Sequence, residues 1–304
     1  DAPGSGIRRV VAHVGGATVT RIDGVLRSTI PGADLYLYNA RGVVVGPEGR
    51  LDLQGSFHAS TASDLHFADG VRFGDSTPGA VVTLTSADPT AWGFLSTPAP
   101  ITLEGDTLAG RAASLVVPDD ATLSLVGGAI TIDGPGAPGS TPSLAAPSGT
   151  LALVAVGAAG EVAIPDGSSP APHLSTFPTL APIQLREHAL VDASGRDDQT
   201  LVVRGDSLSL DDATILADHF GPAAHPGRAI DVEVRGAIRL GDSTAGTGAT
   251  ILSTAFRDRG SGGVPGPDVG DGGDVRLVAD SVTLDGPDTL VVVGTACAND
   301  DCYA

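Results

Sequence analysis

Residues 33–60 read ADLYLYNARGVVVGPEGRLDLQGSFHAS, a series of short apolar segments separated by Gly, Pro and Asn. Leu35 and Leu37 alternate with tyrosines, and Leu53 follows Asp52. An alternation of period two predicts short strands that bury one face. The same pattern continues, with variations, almost to the end of the chain, so an all-β protein is expected.

The composition limits the kind of core that these strands can build. The chain has 304 residues, 41% of them hydrophobic, which is enough to bury a large core. Aromatic residues make up only 4%, so the core has to consist of Val, Leu, Ile and Ala. A narrow interior of stacked small side chains fits this composition better than a broad sandwich with aromatic anchors.

The charge argues against two classes of partner. All 17 basic residues are Arg, and the formal net charge is −19. Binding of nucleic acid needs a basic patch, and anionic membrane surfaces attract basic segments, so neither partner is expected.

No apolar run approaches the ~18 residues of a membrane span, so membrane insertion is not expected. Met is absent, even at position 1, so the sequence is expected to be a processed or trimmed piece.

The C-terminal third contains three copies of one pattern: strand, short turn, strand, loop, strand. The copies begin with LVVRGDSLSL at 201, DVEVRGAIRL at 231 and DVRLVADSVTL at 274, and their third strands lie at 215–216, 251–252 and 290–292. One copy cannot bury its apolar face alone, but stacked copies can. The pattern predicts coils of a parallel β-helix with loops inserted at fixed corners.

Other segments fit this architecture, and one alternative stays open. The windows 183–194 and 206–220 lack Gly and Pro, but their alternating apolar residues predict mainly strands. Residues 134–148 are rich in Pro, Gly and Ser and predict a protruding loop. Six Asp-Gly dipeptides, which favour hairpins, keep an antiparallel sandwich possible. No linker divides the chain, so one continuous solenoid over residues 1–304 is expected.

The order of segments between Ile22 and Gly70 resembles the filamentous-haemagglutinin-type secretion domain, the N-terminal domain of two-partner-secretion exoproteins. The segments that carry the resemblance are IDGVLR at 22–27, ADLYLYN at 33–39, GVVVGP at 42–47, GSF at 55–57 and FADG at 67–70. Its motif residues here are Asn39, Gly42, Gly46, Gly55 and Phe57. The resemblance divides the solenoid into a secretion domain at 7–117, further coils at 118–295 and a Cys-containing tail at 296–304.

This resemblance implies a fold, a route and a class of function. The fold is a single-stranded, right-handed parallel β-helix with loop insertions. The route is export with removal of a signal peptide, followed by passage through an outer-membrane β-barrel transporter to the extracellular space or outer cell surface. The function is that of an adhesin or haemagglutinin, which binds a receptor or glycan on a host or neighbouring cell without chemistry in the helix.

The sequence departs from the family at two places. The family usually has an Asn-Pro-Asn-Gly-like turn, whereas residues 39–42 keep only the first Asn and the Gly. The turn geometry can survive because Gly42 can take a positive φ. The family also has a strand-rich segment before the equivalent of Ile7. We therefore expect Ile7, Val10 and Val11 to form an open edge that a neighbouring molecule, a removed segment or the chain's own tail covers.

Two further function classes remain open. One is a subunit of a self-assembling extracellular filament, stacked end to end through open β-helix edges. The other is a carbohydrate-active β-helix enzyme, which needs paired carboxylates or an activated base on one face. No catalytic or cofactor-binding residue is assigned: Ser56, Ser60 and Ser194 lie in no Gly-x-Ser-x-Gly segment, and Trp92 alone is available for sugar stacking.

Metal sites have little support in the sequence. None of the seven histidines has zinc-site spacing, and His58 and His66 are expected to pack or to lie at the surface. Oxygen-rich loops suit calcium, and Asp268, Asp271 and Asp274 lie in a segment similar to a calcium-binding turn. A calcium-binding turn of this kind indicates a site only when it is repeated along the chain, and here it occurs once.

Cys297 and Cys302 are the only cysteines. The four residues between them are too many for a redox Cys-x-x-Cys, and two ligands do not make a structural zinc site. In an exported chain, a local disulfide is the main expectation. Some adhesins of the resembled family carry a cysteine pair near the C-terminus that tethers them to the transporter, which is the alternative.

Overall fold

The computed structural model describes residues 6–75, 85–139, 141–165, 177–196, 199–220, 227–241, 248–256 and 273–296. Over these residues the chain forms a parallel β-helix of eight coils, with three strands in each coil. The predicted fold class is confirmed.

The strands of the first four coils and their insertions are β1 (Arg9–His13), β2 (Thr20–Ile22), β3 (Val25–Arg27), β4 (Asp34–Tyr38), β5 (Val43–Val45), β6 (Arg50–Asp52), β7 (Phe57–Ser60), β8 (Asp64–Phe67), β9 (Arg72–Gly74), β10 (Pro89–Phe94), β11 (Ile101–Leu103), β12 (Gly105–Asp106), β13 (Arg111–Ala112), β14 (Leu115–Val116), β15 (Thr122–Gly127), β16 (Ile130–Asp133) and β17 (Leu144–Ala145). Those of the last four are β18 (Thr150–Ala155), β19 (Gly160–Ala163), β20 (Ile183–Arg186), β21 (Leu190–Asp192), β22 (Thr200–Gly205), β23 (Leu208–Asp211), β24 (Thr214–Leu216), β25 (Arg228–Val234), β26 (Ala237–Gly241), β27 (Thr250–Phe256), β28 (Asp274–Val278), β29 (Ser281–Leu284) and β30 (Leu290–Ala296).

Three parallel faces enclose the interior. The first face has the order β1-β4-β7-β15-β18-β22-β25-β28, and the second has β2-β5-β11-β16-β20-β23-β26-β29. The third runs β14-β17-β21-β24-β27-β30. It is extended by the pair β3-β6, which joins it through a bridge between Arg50 and Ser114.

The interior consists of columns of aliphatic side chains. On the first face, Leu35, Phe57, Leu123, Leu151 and Leu201 lie directly above one another, one from each of five successive coils. All five are buried. Because paired strands are about 4.8 Å apart, each side chain contacts its equivalents in the coils above and below. The aliphatic core that the composition predicts is confirmed, with Phe57 as an aromatic member.

The strand predictions for the second half of the chain are confirmed, with one correction. The windows 183–194 and 206–220 each contain two strands, and the three repeated copies form coils six to eight. Residues 134–148 are not simply a protruding loop, because Leu144 and Ala145 form β17 and pair with β14 and β21. A strand of two residues is enough to continue the third face here, because it places the fully buried Leu144 in the interior.

A second, antiparallel sheet of order β19-β10-β8-β9 lies outside the β-helix. We call it the cover sheet. It packs on the outward side of the first face, so Tyr36 and Tyr38 are only 5% and 0% exposed. The expectation that residues 33–38 bury one face is therefore wrong. The leucines of this segment fill the interior, and the tyrosines fill the layer under the cover sheet.

Aromatic side chains concentrate in this outer layer, which we call the cover core. Its buried members include Tyr36, Tyr38, Phe67, Trp92, Phe94, Val126, Val154, Val162 and Phe177. Asp69 and Gly70 form the turn between β8 and β9, with Gly70 at φ +84°. An antiparallel hairpin that the Asp-Gly dipeptides favoured thus occurs beside the β-helix, not in place of it.

Further along the first face, the outward column changes from apolar to charged residues. Arg204 Nη2 lies 2.8 Å from Asp231 Oδ2, and Arg276 Nη1 lies 2.8 Å from Asp231 Oδ1. Arg204 is 4% exposed and Asp231 is 6% exposed. Burial disfavours the ionised form of Asp231, but the hydrogen bonds from Arg276 and Arg204 outweigh it, so the pKa of Asp231 is lowered.

A polar ladder occupies the corner after the third face. Asp218 Oδ1 accepts hydrogen bonds from Thr254 N at 2.8 Å and Thr254 Oγ1 at 2.6 Å, while Asp218 N donates to Ser194 Oγ at 2.9 Å. Each side chain thus satisfies the backbone of the next coil. Burial nevertheless raises the pKa of Asp218.

We expect Asp231→Asn and Asp218→Asn to have different effects on stability. At pH 7, Asp231→Asn should lower the free energy of unfolding by about 3 kcal/mol, because it removes the carboxylate that pairs with the buried Arg204 and with Arg276. Asp218→Asn should leave that free energy unchanged or raise it, because the amide oxygen still accepts both bonds and no buried carboxylate has to ionise. Urea unfolding of both variants checks this.

The pH dependence should separate the same two residues. Because the pKa of Asp218 is raised, the wild-type protein should gain stability from this group as the pH falls from 7 towards the unfolded pKa of about 3.9. Because the pKa of Asp231 is lowered, its contribution is complete above about 3.9 and lost below. Between pH 7 and 5, Asp218→Asn should therefore flatten the stability curve, and Asp231→Asn should not. Equal losses for both variants at pH 7 would contradict these assignments.

Candidate functional site

The five motif residues lie on the second and third coils, at or next to turns. Asn39 and Gly42 form the turn between β4 and β5, and Gly46 follows β5. Gly55 and Phe57 lie at the start of the third coil. The structure therefore places all five on two neighbouring coils, and Asn39, Gly42 and Gly46 contact the first coil as well.

Asn39 connects three coils. Its side chain is 1% exposed, and its Nδ2 donates to Thr18 O at 3.0 Å and to Thr20 Oγ1 at 2.9 Å in the first coil. Its Oδ1 accepts from Arg41 N at 2.8 Å within the turn. Its backbone N donates to Ser60 O in the third coil at 3.1 Å. An apolar side chain of similar size would remove the side-chain bonds to Thr18, Thr20 and Arg41.

Gly42 closes the same turn. Its N donates to Asn39 O at 3.0 Å and its φ is +119°, so the positive φ expected from the sequence is confirmed. A Cβ at this position would lie 3.2 Å from Pro100 O. The turn is thus retained although Ala40 and Arg41 replace two residues of the family's pattern.

Gly46 leaves room for an ion pair that spans three coils. Arg21 Nη1 and Nη2 lie 3.1 Å and 2.7 Å from the two carboxylate oxygens of Glu104, which belongs to the third coil. The pair passes over Gly46, where a Cβ would lie 2.9 Å from Arg21 Nη2 and 2.2 Å from Asp23 Oδ1. Any side chain at 46 would displace this bridge.

Gly55 and Phe57 fix the start of the third coil. A Cβ at Gly55 would lie 2.6 Å from Ala33 O, because Ser56 N reaches back to Asp34 Oδ1 at 2.8 Å. Phe57 is 1% exposed and belongs to the interior column. Close backbone contact and a large interior side chain therefore hold the second and third coils together.

The second coil also aligns the third coil after two insertions. Residues 61–75 and 85–100 lie outside the β-helix and build most of the cover sheet, and where the chain returns Val43 N donates to Pro100 O at 3.2 Å. After the β12–β13 hairpin, Arg50 Nη1 donates to Ala112 O at 3.0 Å. The motif turns thus lie where the chain re-enters the β-helix.

The two histidines that the sequence singled out lie on opposite sides of the cover sheet, His58 beneath it and His66 on its outer side. His58 Nδ1 is 2.8 Å from Ser124 Oγ, and its ring stacks on Tyr36 with 4.5 Å between centroids. His66 Nδ1 is 3.0 Å from Glu161 Oε2. The expectation that both residues pack or lie at the surface holds: His58 is buried, and His66 pairs with the exposed Glu161.

Tyr38 links the cover sheet to the second coil. Its hydroxyl donates to Phe73 O at 2.6 Å, and its ring stacks on His13 with 4.6 Å between centroids. Burial, together with the carboxylates of Asp64 and Asp75, raises the pKa of Tyr38 far above its ordinary value. The hydroxyl is therefore a permanent donor.

Of the predicted assembly edge, Val10 and Val11 lie in β1, and Ile7 precedes that strand. Among the described strands, β1 is paired with β4 alone. Ile7 is 43% exposed, Val10 packs against the interior and Val11 against the cover core. A cleft of about 570 Å³ separates β1 from the segment before β10, and Arg9 crosses it to pair with Asp88. Cover of this edge by another segment or molecule stays a prediction.

Several predicted residues lie outside the described part of the chain. These are Asp268, Asp271, Cys297 and Cys302, so the calcium site and the disulfide stay predictions. Asp274 lies in β28, opposite Arg228. Over the described residues, no cluster of three or more His, Cys, Asp or Glu side chains could hold a metal ion. In the same residues, no helix is long and apolar enough to cross a membrane.

A family model described as the TPS secretion domain matches residues 2–206. This span covers more than half of the chain and contains every motif residue and the whole cover sheet. The chain belongs to the TPS secretion domain family. It is thus an exoprotein of two-partner secretion, exported out of the cell, and its partner in export is an outer-membrane β-barrel transporter. No curated protein and no solved structure matches the chain.

The TPS match extends beyond residue 117, where the sequence resemblance placed the end of the secretion domain. It includes β18 to β22, and therefore β19 of the cover sheet. Sequence reasoning missed the cover sheet. The available signal was the concentration of aromatic residues outside the repeats, at Phe67, Phe73, Trp92 and Phe94.

We expect Gly55→Ala to destabilise the protein and Gly24→Ala to leave it nearly unchanged. The Cβ at 55 meets backbone atoms that cannot move alone, so overpacking should lower the free energy of unfolding by about 1–3 kcal/mol. A Cβ at Gly24 meets no atom within 4 Å, which makes Gly24→Ala the matched control. Chemical denaturation measures both, and equal stability of the two variants would contradict the close contact at 55.

Proposed function

We propose that the protein is a non-catalytic, adhesin-like exoprotein that binds a receptor or glycan on a host or neighbouring cell. The observation that carries this proposal is the match to the TPS secretion domain over residues 2–206. An exoprotein with this domain leaves the cell, and contact with other cells or their glycans is then its natural role.

The outward side of the second face is the surface that suits such a ligand best. Its central positions, aligned from coil to coil, are Arg21, Val44, Thr102, Thr131, Gln184, Ser209, Arg239 and Thr283. The hydroxyl, amide and guanidinium groups among them recur about every 4.8 Å along the helix axis. They can hydrogen-bond to the hydroxyl groups of an extended glycan.

The carboxylates of this face support a role in binding rather than in catalysis. Asp133 accepts from Arg186 Nε at 2.9 Å and Nη2 at 3.2 Å, and Glu104 is held by Arg21. Both carboxylates are thus already occupied by hydrogen bonds from guanidinium groups, whereas a general base needs a free oxygen within reach of the substrate proton. Trp92 is 0% exposed, so it cannot stack on a sugar.

A glycan-binding assay combined with a turnover assay tests this proposal. The purified protein should bind a subset of immobilised polysaccharides or cell surfaces saturably. Replacing Gln184 and Arg239 together by Ala should weaken that binding about tenfold or more. The matched control replaces Gln54 and Arg27, which lie away from the second face. No reducing ends should be released from polygalacturonate, alginate or chitin.

Two outcomes would overturn the proposal. Turnover that a single Asp→Asn change abolishes would replace the adhesin by a carbohydrate-active enzyme. Equal binding by the double variant and its control would remove the second face as the ligand surface.

End-to-end self-association is a second candidate, because interior positions are exposed in the last described coil. Val282 and Leu284 continue the columns of Ile238 and Leu240. Val282 and Leu284 are 45% and 48% exposed, whereas Ile238 and Leu240 are 0% and 1% exposed. A second copy stacked on this coil would cover them. Analytical ultracentrifugation should then find assemblies that Val282→Asp disperses and Thr283→Asp, on the outward side, does not.

A further inference from the structure

The cover sheet is built from two distant parts of the chain. Three of its strands, β8, β9 and β10, lie within residues 64–94, whereas β19 lies at 160–163. The segment between them forms the rest of the third coil, the fourth coil and the first strand of the fifth. Most of the sheet can therefore form well before β19 is in place.

β19 closes the cover core from one side. Val162 is 1% exposed and pairs with Trp92 on β10. Its neighbours Glu161 and Ala163 are exposed. Val162 thus points under the sheet, and the residues around it point to solvent. Without β19, the edge of β10 and one side of the Trp92 ring would lose their cover.

Contacts beyond the strand pairing hold β19 in place. The His66 ring lies over Gly93 of β10, where a Cβ would be 2.5 Å from His66 Nε2. From there His66 reaches Glu161 on β19. Phe177 packs against Gly160, where a Cβ would be 2.7 Å from its ring.

The seventh coil fixes Phe177 in turn. Arg235 donates from Nη1 to Pro178 O at 3.1 Å and from Nη2 to Phe177 O. A chain of contacts therefore runs from Arg235 through Phe177 and β19 to Trp92. It makes closure of the cover sheet depend on a coil outside the span of the TPS match.

The opposite edge of the cover sheet is attached by partners that occur early in the chain. Tyr38 donates to Phe73 O at 2.6 Å, and His13 Nε2 lies 3.4 Å from Asp75 Oδ1. These links require only the first two coils and β9. One edge can thus stay attached while the edge at β19 is open.

The interactions that hold the cover sheet on the β-helix are weaker than those that join the coils. It packs on the first face through side chains, whereas coils are joined by continuous backbone ladders. The Nε1 donor of Trp92 is buried without an acceptor, which costs stability in the closed state. Opening of this layer alone should therefore need less free energy than opening of the coils.

We propose that the cover sheet is a lid that opens and closes as a unit over the first five coils, with β19 as the strand that closes it. Arg235 of the seventh coil couples closure to completion of the β-helix. If the N-terminal end leaves the transporter first, the lid stays open until β19, Phe177 and Arg235 have followed. This inference rests on strand order and contacts, and not on ligand binding.

Val162→Asp in the full chain tests the closing role of β19, with Ala163→Asp as the matched control on the exposed side of the same strand. Trp92 is the only tryptophan, so its emission and its quenching by acrylamide report on the lid. Val162→Asp should shift the emission to longer wavelength and increase quenching. Amides of β19, and those of β10 that bond to it, should exchange on the order of 100-fold faster, and those of β15 and β18 should keep their protection. Ala163→Asp should behave as wild type.

Native-state hydrogen exchange of the wild-type protein tests the lid without any substitution. Amides of β19, and those of β10 that bond to it, should exchange through an opening that leaves β15 and β18 protected. One common exchange rate for both layers at all denaturant concentrations would overturn the proposal, as would a buried Trp92 in a folded Val162→Asp variant.

Arg235→Ala tests the coupling to the seventh coil, with the exposed Arg239→Ala on β26 as its control. Arg235→Ala should increase quenching of Trp92 although residue 235 is distant in sequence, and Arg239→Ala should not. Equal quenching in both variants would show that closure does not depend on the seventh coil.

Discussion

Parallel pairing in register is the constraint on which the rest of this structure depends. Each strand hydrogen-bonds to its equivalent one coil earlier, so a side chain always lies above its own counterpart. An interior position must then be filled by a side chain of suitable size in every coil, as the column from Leu35 to Leu201 is. The outward positions are equally aligned, and their chemistry decides what lies outside each face.

The first face shows how the outward column sets the outer layer. Tyr36 and Val154 belong to the part that the cover sheet buries. Asp231 and Arg276, further along the same face, form an ion network instead. Arg204 and Asp231 are nevertheless almost fully buried. Buried charged groups need complete pairing. On this part of the first face, the outward side chains therefore pair with one another instead of packing under the cover sheet.

The sequence predicts the β-helix because the signals are local and repeated. Alternation in residues 201–210 is copied at 231–240, and both become strand pairs at the expected positions. The cover sheet could not be predicted in this way, because β19 pairs with β10 across 66 residues and neither segment repeats. A short strand with one buried residue, such as Val162, carries almost no periodic signal. The sequence alone does not show what requires glycine at the motif positions, because the contacts there, such as the ion pair over Gly46, involve neighbours in other coils.

The position of the motif turns follows from the insertions. A regular solenoid needs no special residues to start a new coil, because the chain never leaves it. The third coil is interrupted twice, by the insertion that carries β8, β9 and β10 and by the β12–β13 hairpin. After each interruption the chain has to find its register again, since a slip of one residue would turn interior side chains outward. Val43 and Arg50 of the second coil bind the returning backbone at those two points. The second coil therefore acts as the template for the third, and this explains why the motif is concentrated there rather than spread along the solenoid.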